Sequence, residues 1–391
     1  MILLYHIVVV KMIPCPNISC TSLFDIIALR RRCKCVDDEN DDIKPSHRHD
    51  RRASCPDCTT RRSTDPVVDF NRINGWSNKI DCMRELGYVP EGGVDLGPIE
   101  FDDFVARRQK DGDQSEFKSR IWFRNGRGWI YEVPSMEHEY SANKVISRIH
   151  QQLHPNQDLL SVGGSSTLIL QLGHSCAEPH QSLRPLRPNV PNIHSANGHG
   201  RPYPTLVIET AKSQSLPVLH QKCMDYFMDR VVAIPAAPGV SAVVAVPSTI
   251  RIVIGIKIYR RHNGTFAMLV LYYQNGAAAN PVRIISCGTA FLDPNNTIPR
   301  VNAISPPGYA APHGYEGVMP PVGPPPVPAN PANPLNLQNP CNALGLPHYQ
   351  LQIPTVELFN GAAPLPPGVI LPLFYVVDLH SIQQVANDEL P

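Results

Sequence analysis

The spacing of apolar residues predicts alternating helices and strands in the middle of the chain. Over residues 141–153, apolar side chains recur every three or four positions, as in an amphipathic helix. Residues 166–172 (STLILQL) and 205–209 (TLVIE) are short apolar runs of the kind found in buried strands. Residues 216–229 return to helical spacing. This alternation indicates a mixed α/β domain.

Two further segments predict β-hairpins because apolar runs flank an Asn-Gly dipeptide, which favours a tight two-residue turn. One is IWFRNGRGWIY at 121–131, and the other pairs IRIVIGIKIY at 250–259 with TFAMLVLYY at 265–273. The Ala/Val/Pro-rich residues 231–246, which precede the second hairpin, are expected to form a small insertion.

Composition divides the chain into four predicted parts. Residues 1–115 contain a highly charged stretch at 30–65 with few large apolar side chains, so this extension is expected to be largely disordered or loosely structured. Residues 116–300 form the folded domain, and residues 301–345 are a Pro-rich insertion or linker that should be extended and mobile. Residues 346–391 regain an apolar pattern and are expected to pack on the domain as a strand and a helix.

Charge, hydropathy and cysteine usage narrow the possible environments. The 35 Lys and Arg residues nearly balance the 34 Asp and Glu residues, so no global field draws the protein to nucleic acid or to a membrane. No run reaches the roughly 18 apolar residues of a membrane span, and no membrane partner is expected. The eleven cysteines form no dense framework, which is typical of reduced thiols and favours a cytoplasmic or nuclear location.

Four cysteines near the N-terminus form two close pairs, Cys33-x-Cys35 and Cys55-x-x-Cys58. Four thiolates would complete a tetrahedral zinc site. No apolar residues surround them to form a small core, so unliganded thiols are the other interpretation.

A candidate site begins at Glu209, which closes the apolar run of a predicted buried strand. A buried carboxylate is costly unless it is paired or binds a cation. The following helix presents Lys222 and Tyr226 one turn apart, and the first predicted helix starts with the acidic residues of MEHE at 136–139. Acids at that place also suit the helix dipole, so a capping role and a functional role are both open there.

These segments resemble a known family. PSMEHE at 134–139 and PTLVIETAKSQS at 204–215, followed by Lys222 and Tyr226, are similar to the restriction endonuclease domain family of the PD-(D/E)XK nuclease superfamily, in particular its fungal members. The resemblance covers roughly residues 120–290. It implies a restriction-endonuclease-like mixed β-sheet flanked by helices, and metal-dependent hydrolysis of phosphodiesters in nucleic acid.

The resemblance also implies roles for individual residues. Glu139, Glu209 and Lys222 would be catalytic, and Glu209, Asn189 and Glu139 would hold Mg²⁺ or Mn²⁺, which polarises the phosphoryl group and activates water. In the commonest arrangement, a lysine that stabilises the growing negative charge lies two residues after the strand glutamate. That position is Ala211 here, so Lys222 on the next helix takes the role.

One position departs from the family pattern, because Asn189 stands where a metal-binding aspartate is expected. A neutral amide removes one negative charge from the site, so weakened or lost catalysis is expected. If the match is shifted, Glu178 or Asp158 would take the role. Four histidines of the same region are either exposed loop residues or ligands for a softer metal such as Zn²⁺ or Mn²⁺: His174, His180, His194 and His199.

Two functions therefore remain open at the level of sequence. The first is a metal-dependent nuclease whose partner is nucleic acid. The second is a catalytically dead nuclease-fold protein that serves as a binding or scaffolding module. Its Pro-rich segment would then be presented to proteins that recognise extended proline motifs.

Overall fold

A computed structural model describes most of the chain between residues 93 and 390. The described residues are 76, 79–80, 82–83, 89–90, 93–112, 120–132, 136–164, 167–171, 175–186, 203–237, 240–320 and 340–390. The predicted disordered stretch at 30–65, the four cysteines considered for zinc and Asn189 lie outside them. Residues Val68–Pro391 group into one compact unit.

Helices and strands alternate through the described residues, which confirms the predicted mixed α/β class. The α-helices are α1 (Phe101–Gly112), α2 (Met136–Leu153), α3 (Leu216–Asp225), α4 (Thr297–Ile304), α5 (Thr355–Leu358) and α6 (Leu379–Glu389). The strands are β1 (Val94–Pro98), β2 (Arg120–Arg124), β3 (Arg127–Glu132), β4 (Leu160–Val162), β5 (Leu168–Gln171), β6 (Ser175–Ala177), β7 (Gln181–Pro185), β8 (Leu206–Ala211), β9 (Arg230–Ala237), β10 (Val240–Val246), β11 (Ile252–Ile258), β12 (Met268–Gln274), β13 (Arg283–Ser286), β14 (Glu316–Gly317), β15 (Gln350–Pro354) and β16 (Phe374–Asp378).

The central sheet has seven strands in the order β14-β13-β12-β11-β8-β7-β4. Strand β8 lies in its middle, parallel to β11 and antiparallel to β7. Leu206 and Ile208 point to the core that contains α2, whereas Val207 and Ala211 point to the core that contains α3. Both faces of β8 are therefore covered, which explains its continuous apolar run.

The chain reaches this sheet in the order α2, β4, β7, β8, α3, β11, β12. Because β8 and β11 are parallel, the chain must cross over between them, and α3 makes the crossover on one face of the sheet. Helix α2 covers the other face. The start of α3 and the start of α2 thus approach the carboxyl end of β8 from opposite faces.

The predicted hairpin at Asn125 and Gly126 joins β2 to β3 in a second sheet, ordered β1-β3-β2-β6-β5. Both turn residues have positive φ, 52° and 73°, as the tight hairpin turn requires. One face of the β2–β3 ribbon is buried against α1 through residues such as Phe123 and Phe104. The opposite face carries the cross-strand pair Trp122 and Trp129.

The structure adds detail to two segments that were expected to be insertions. The expected small insertion contains two antiparallel strands, β9 and β10, whose branched residues favour strand pairing. Part of the Pro-rich stretch is also ordered: Tyr315 is fully buried, and β14 pairs in parallel with β13. Residues 313–318 contain no proline and so keep the N–H donors that pairing needs.

The last described segment packs on the domain. Strands β15 and β16 pair antiparallel, and α6 follows directly. Val377 and Ile382 join Val145 and Ile149 of α2 in one apolar core. In the described part of the chain, no helix combines the length and apolar character needed to cross a bilayer.

Candidate functional site

Glu209 is the centre of a buried polar cluster at the carboxyl end of β8. Its side chain is only 1% exposed. One carboxylate oxygen, Oε1, lies 2.8 Å from the Lys222 ammonium and also accepts the hydroxyl of Tyr226. The other, Oε2, lies 3.0 Å from Nδ1 of His180. Both oxygens are thus engaged by protein side chains.

The surroundings of Glu209 keep it ionised. Burial by itself raises the pKa of a carboxyl, but Lys222 and His180 outweigh this and hold the pKa of Glu209 below its ordinary value. Burial lowers the pKa of Lys222, and the negative charge of Glu209 opposes that shift. The two groups form a buried ion pair in which each charge depends on the other.

Lys222 is held from two further directions. Its Nζ atom lies 3.7 Å from the centre of the Tyr131 ring, a close cation–π contact. It also donates to the carbonyl oxygen of Glu178 at 3.4 Å, and the Tyr131 hydroxyl donates to the same carbonyl at 2.8 Å. Helix α3 can bring Lys222 this close because Gly255 of β11 leaves room for Cys223, whose Sγ would lie 3.1 Å from a Cβ at that position.

A second group of side chains adjoins the Glu209 cluster through His180. Glu132 ends β3, and its Oε1 lies 2.9 Å from Nε2 of His138 at the start of α2. Its Oε2 lies 3.8 Å from Nε2 of His180. All three side chains are buried, and one ligand atom from each lies within 4.8 Å of the others. Within the described residues, this is the group whose geometry suits a metal ion.

The neighbouring acids are paired with basic residues. Glu178 forms two hydrogen bonds with Arg108, at 2.7 and 2.8 Å, and a third with Thr167. Glu137 forms an ion pair with Lys212. The cluster is therefore rich in charge but extensively compensated, as a buried polar network requires.

The structure brings together two of the three residues predicted to be catalytic, Glu209 and Lys222. The third, Glu139, is 30% exposed and lies 2.5 Å from Arg120. Arg120 also donates to the carbonyl of Pro179 at 3.3 Å, and its charge acts on His180. Arg120 therefore lies between the Glu139 carboxylate and the buried cluster.

Neither of the two acids that could replace Asn189 as a metal ligand is available at the Glu209 cluster. Asp158 is exposed on a short 3-10 turn after α2, and the carboxylate of Glu178 is occupied by Arg108. Of the four candidate histidines, His180 is fully buried beside Glu209. The other three lie outside the described residues.

Sequence reasoning did not identify Glu132, Tyr131 or Arg120 as members of this site. Glu132 carries the same signal that pointed to Glu209, because it is an acid that closes an apolar strand, GWIYE. That signal does not reveal which strand ends meet.

A cavity of about 340 Å³ lies next to the cluster. The outer face of the β2–β3 ribbon lines it with Trp122, Arg124, Arg127, Trp129 and Tyr131, and Val218 of α3 contributes to the lining. Tyr131 connects the two features, because its ring also contacts the Lys222 ammonium.

No protein-family model matches this chain, and a search of curated proteins finds no significant match. Its function is therefore inferred from the geometry and chemistry of the site.

Proposed function

We propose that the domain has a restriction-endonuclease-like fold and hydrolyses phosphodiester bonds in nucleic acid. The central observation is the meeting of Glu209 and Lys222, 2.8 Å apart at the carboxyl end of a central strand. The fold around them supports the proposal, because a mixed sheet is flanked by α2 and α3 on its two faces. The motif that suggested the family supplies both residues.

The cavity beside the cluster offers a surface for nucleic acid. Trp129, which is partly exposed, provides an aromatic group for base stacking, and Arg124 and Arg127 provide positive charge for phosphates. Arg124 and Arg127 are 39% and 44% exposed, respectively, so a ligand can reach them. Their nearest acids, Asp225 and Asp95, reduce the net charge, so stacking would contribute most of the affinity.

The chain's own residues suggest a division of labour. Lys222 is a cation in a site without water access, where a positive charge stabilises a developing phosphorane more strongly than it would in solvent. Glu209 holds Lys222 and orients the imidazole of His180 through Nδ1.

Mg²⁺, which the resemblance implies, does not suit the side chains that converge here. Mg²⁺ prefers oxygen ligands in octahedral geometry. The oxygens of Glu209 are taken by three side chains, and Glu139 is paired with Arg120. The convergent group contains two imidazoles and one carboxylate, so no step is assigned to Mg²⁺.

One observation favours the alternative, a nuclease-fold protein that binds without cleaving. Lys222 has no solvent-exposed surface, and Glu209 is only 1% exposed. A scissile phosphate would need the hairpin or α3 to move before it touched either group. The binding module would keep the aromatic cavity and use the buried pairs only for stability. Its proline-rich segment, residues 321–339, lies outside the described residues.

A cleavage assay separates the two functions. Supercoiled plasmid and single-stranded DNA are incubated with the full chain in Mg²⁺ or Mn²⁺, using wild type, Glu209→Gln and Lys222→Met. Glu357→Gln is a matched control, because Glu357 pairs with Arg251 near the opposite end of β8. Cleavage by wild type and by the control, but not by the two site variants, supports the nuclease. Equal cleavage by Glu209→Gln would remove Glu209 from the mechanism, and binding without cleavage by wild type would favour the module.

A further inference from the structure

Glu132 differs from the other acids of the cluster in its partners. It is fully buried, and among the described residues no lysine or arginine side chain pairs with it. Its Oε1 atom accepts the backbone N–H of Lys212, at 3.0 Å, and lies 2.9 Å from Nε2 of His138. The remaining four acids each have a basic partner: Glu137 with Lys212, Glu139 with Arg120, Glu178 with Arg108, and Glu209 with Lys222. A buried carboxylate without a permanent cation is unfavourable.

The orientation of His180 leaves a second buried polar atom, Nε2, without a hydrogen-bond partner in the described structure. Two groups approach Nδ1: the backbone N–H of Thr210 donates to it at 3.2 Å, whereas Oε2 of Glu209, at 3.0 Å, accepts a proton that Nδ1 carries. The contact with the carboxylate is the shorter of the two and is charge-assisted. The negative carboxylate favours a proton on Nδ1, so Nε2 of the neutral ring carries a lone pair. That lone pair and Oε2 of Glu132 are 3.8 Å apart, and neither atom has a hydrogen-bond partner in the described structure. Two buried acceptors facing each other repel unless a cation lies between them.

The distances suit such a cation. An ion bound tetrahedrally at 2.0 to 2.1 Å separates its ligand atoms by about 3.3 Å. Here Oε1 of Glu132 lies 2.9 Å from Nε2 of His138, and Oε2 lies 3.8 Å from Nε2 of His180, so the carboxylate presents one oxygen to each imidazole at distances on either side of that separation. Taken with one atom from each residue, the three ligand atoms lie within 4.8 Å of one another. We propose that Glu132, His138 and His180 bind one divalent transition-metal ion of the Zn²⁺ type.

The chemistry of the ligands selects this class of ion. Imidazole nitrogen favours Zn²⁺, Co²⁺ and related ions over Mg²⁺. Glu209 then acts as a positioning residue: it accepts the Nδ1 proton of His180 and so directs Nε2 at the metal, as carboxylates behind metal-bound histidines commonly do. The inference goes beyond the proposed function and does not depend on it, because metal binding is measured without a nucleic-acid substrate.

Cobalt spectroscopy on the full chain tests the proposal. The protein is stripped with a chelator and titrated with Co²⁺, and then Zn²⁺ or Mg²⁺ is added. We expect one equivalent of Co²⁺ to give visible d–d absorption without thiolate charge-transfer bands. Zn²⁺ should displace it, whereas Mg²⁺ should not. The absence of thiolate bands separates this site from the N-terminal cysteine pairs.

Variants locate the ion. Glu132→Gln and His180→Gln should abolish stoichiometric Co²⁺ binding, whereas Glu139→Gln and His220→Gln should keep it. Glu139 is an acid that sequence reasoning assigned to the metal. His220 lies two residues before Lys222 in α3, and its Nδ1 is 3.0 Å from the hydroxyl of Tyr273. Glu209→Gln should weaken Co²⁺ binding by about 10- to 100-fold without abolishing it.

Three results would overturn the proposal: no Co²⁺ or Zn²⁺ binding by wild type, wild-type binding by Glu132→Gln and His180→Gln, or loss of binding in Glu139→Gln alone. If the buried variants do not fold, the wild-type protein still decides the matter. With its accessible cysteines alkylated, wild type should unfold at a higher temperature in excess Zn²⁺, because the ion binds only the folded site. Equal unfolding temperatures with and without Zn²⁺ would refute metal binding, whatever the outcome of a cleavage assay.

Discussion

Replacing Lys222 by methionine tests whether Glu209 depends on its cation. Methionine fills a similar volume but removes the ammonium that lies 2.8 Å from Oε1 of Glu209. Because both residues are buried, water cannot replace the lost charge. Glu209 would keep hydrogen bonds from the Tyr226 hydroxyl and the His180 ring, which would stabilise part of its negative charge.

The size of the effect follows from this geometry. At 2.8 Å and an effective dielectric constant of about 20, two unit charges attract by about 6 kcal/mol. Removing Lys222 also removes the cost of burying its ammonium, which offsets part of that attraction. We therefore expect Lys222→Met to lower the free energy of unfolding by about 3 kcal/mol, at the lower end of the range for broken buried pairs. The double variant Lys222→Met/Glu209→Gln should recover about 1 to 3 kcal/mol.

Urea denaturation measures both quantities. Fluorescence of the tryptophans and far-UV circular dichroism should give coincident transitions for wild type, for the two single variants and for the double variant. A loss below about 1 kcal/mol in Lys222→Met, or strictly additive losses in the double variant, would show that the pair is not coupled. The contact at 2.8 Å would then not represent a mutually dependent ion pair.

Three further outcomes follow from the described residues. Burial lowers the pKa of His220 below 6.5, so the stability that the neutral imidazole contributes is complete above pH 6.5 and is lost as the pH falls through the pKa of the folded state. His220→Gln should therefore lose less stability on acidification than wild type, and urea titrations at several pH values measure this. Gly255→Val should lower the free energy of unfolding by about 1 to 3 kcal/mol, because a Cβ would lie 3.1 Å from Sγ of Cys223, and an unchanged urea midpoint would contradict this. Trp129→Ala should weaken single-stranded DNA binding by about 1 to 3 kcal/mol in fluorescence anisotropy, and equal affinity would exclude the cavity as the binding surface.

The pairing of Glu209 with Lys222 was within reach of the sequence. An acid ends an apolar strand, a short polar turn follows, and the next helix carries a lysine. A crossover helix packs back on the strand that precedes it, which places α3 over β8, and the resemblance pointed to Lys222 on that helix. Glu139 illustrates the limit of this reasoning. Its position on α2 was correctly predicted to be helical, but its carboxylate forms an ion pair with Arg120 of β2, in the second sheet.

The metal-binding group shows the same limit more strongly. Glu132, His138 and His180 come from a hairpin strand, a helix start and a loop before β7. Each residue has an ordinary local explanation: a strand end, a helix cap and an exposed loop histidine. The antiparallel register of β7 on β8 brings His180 beside Glu209, and the second sheet brings in Glu132.

The amino-acid pattern by itself predicted helices α2 and α3, the hairpins at Asn125 and Asn263, and the mixed α/β class, because periodicity and turn chemistry act over a few neighbouring residues. The resemblance, rather than the pattern, implied that Glu209 and Lys222 act together at the end of β8. The tertiary structure alone decided which acids are neutralised by arginine, which histidine turns inward, and which carboxylate lacks a basic partner among the described residues. Those outcomes depend on strand register and on contacts between distant segments, and no local pattern of side chains specifies them.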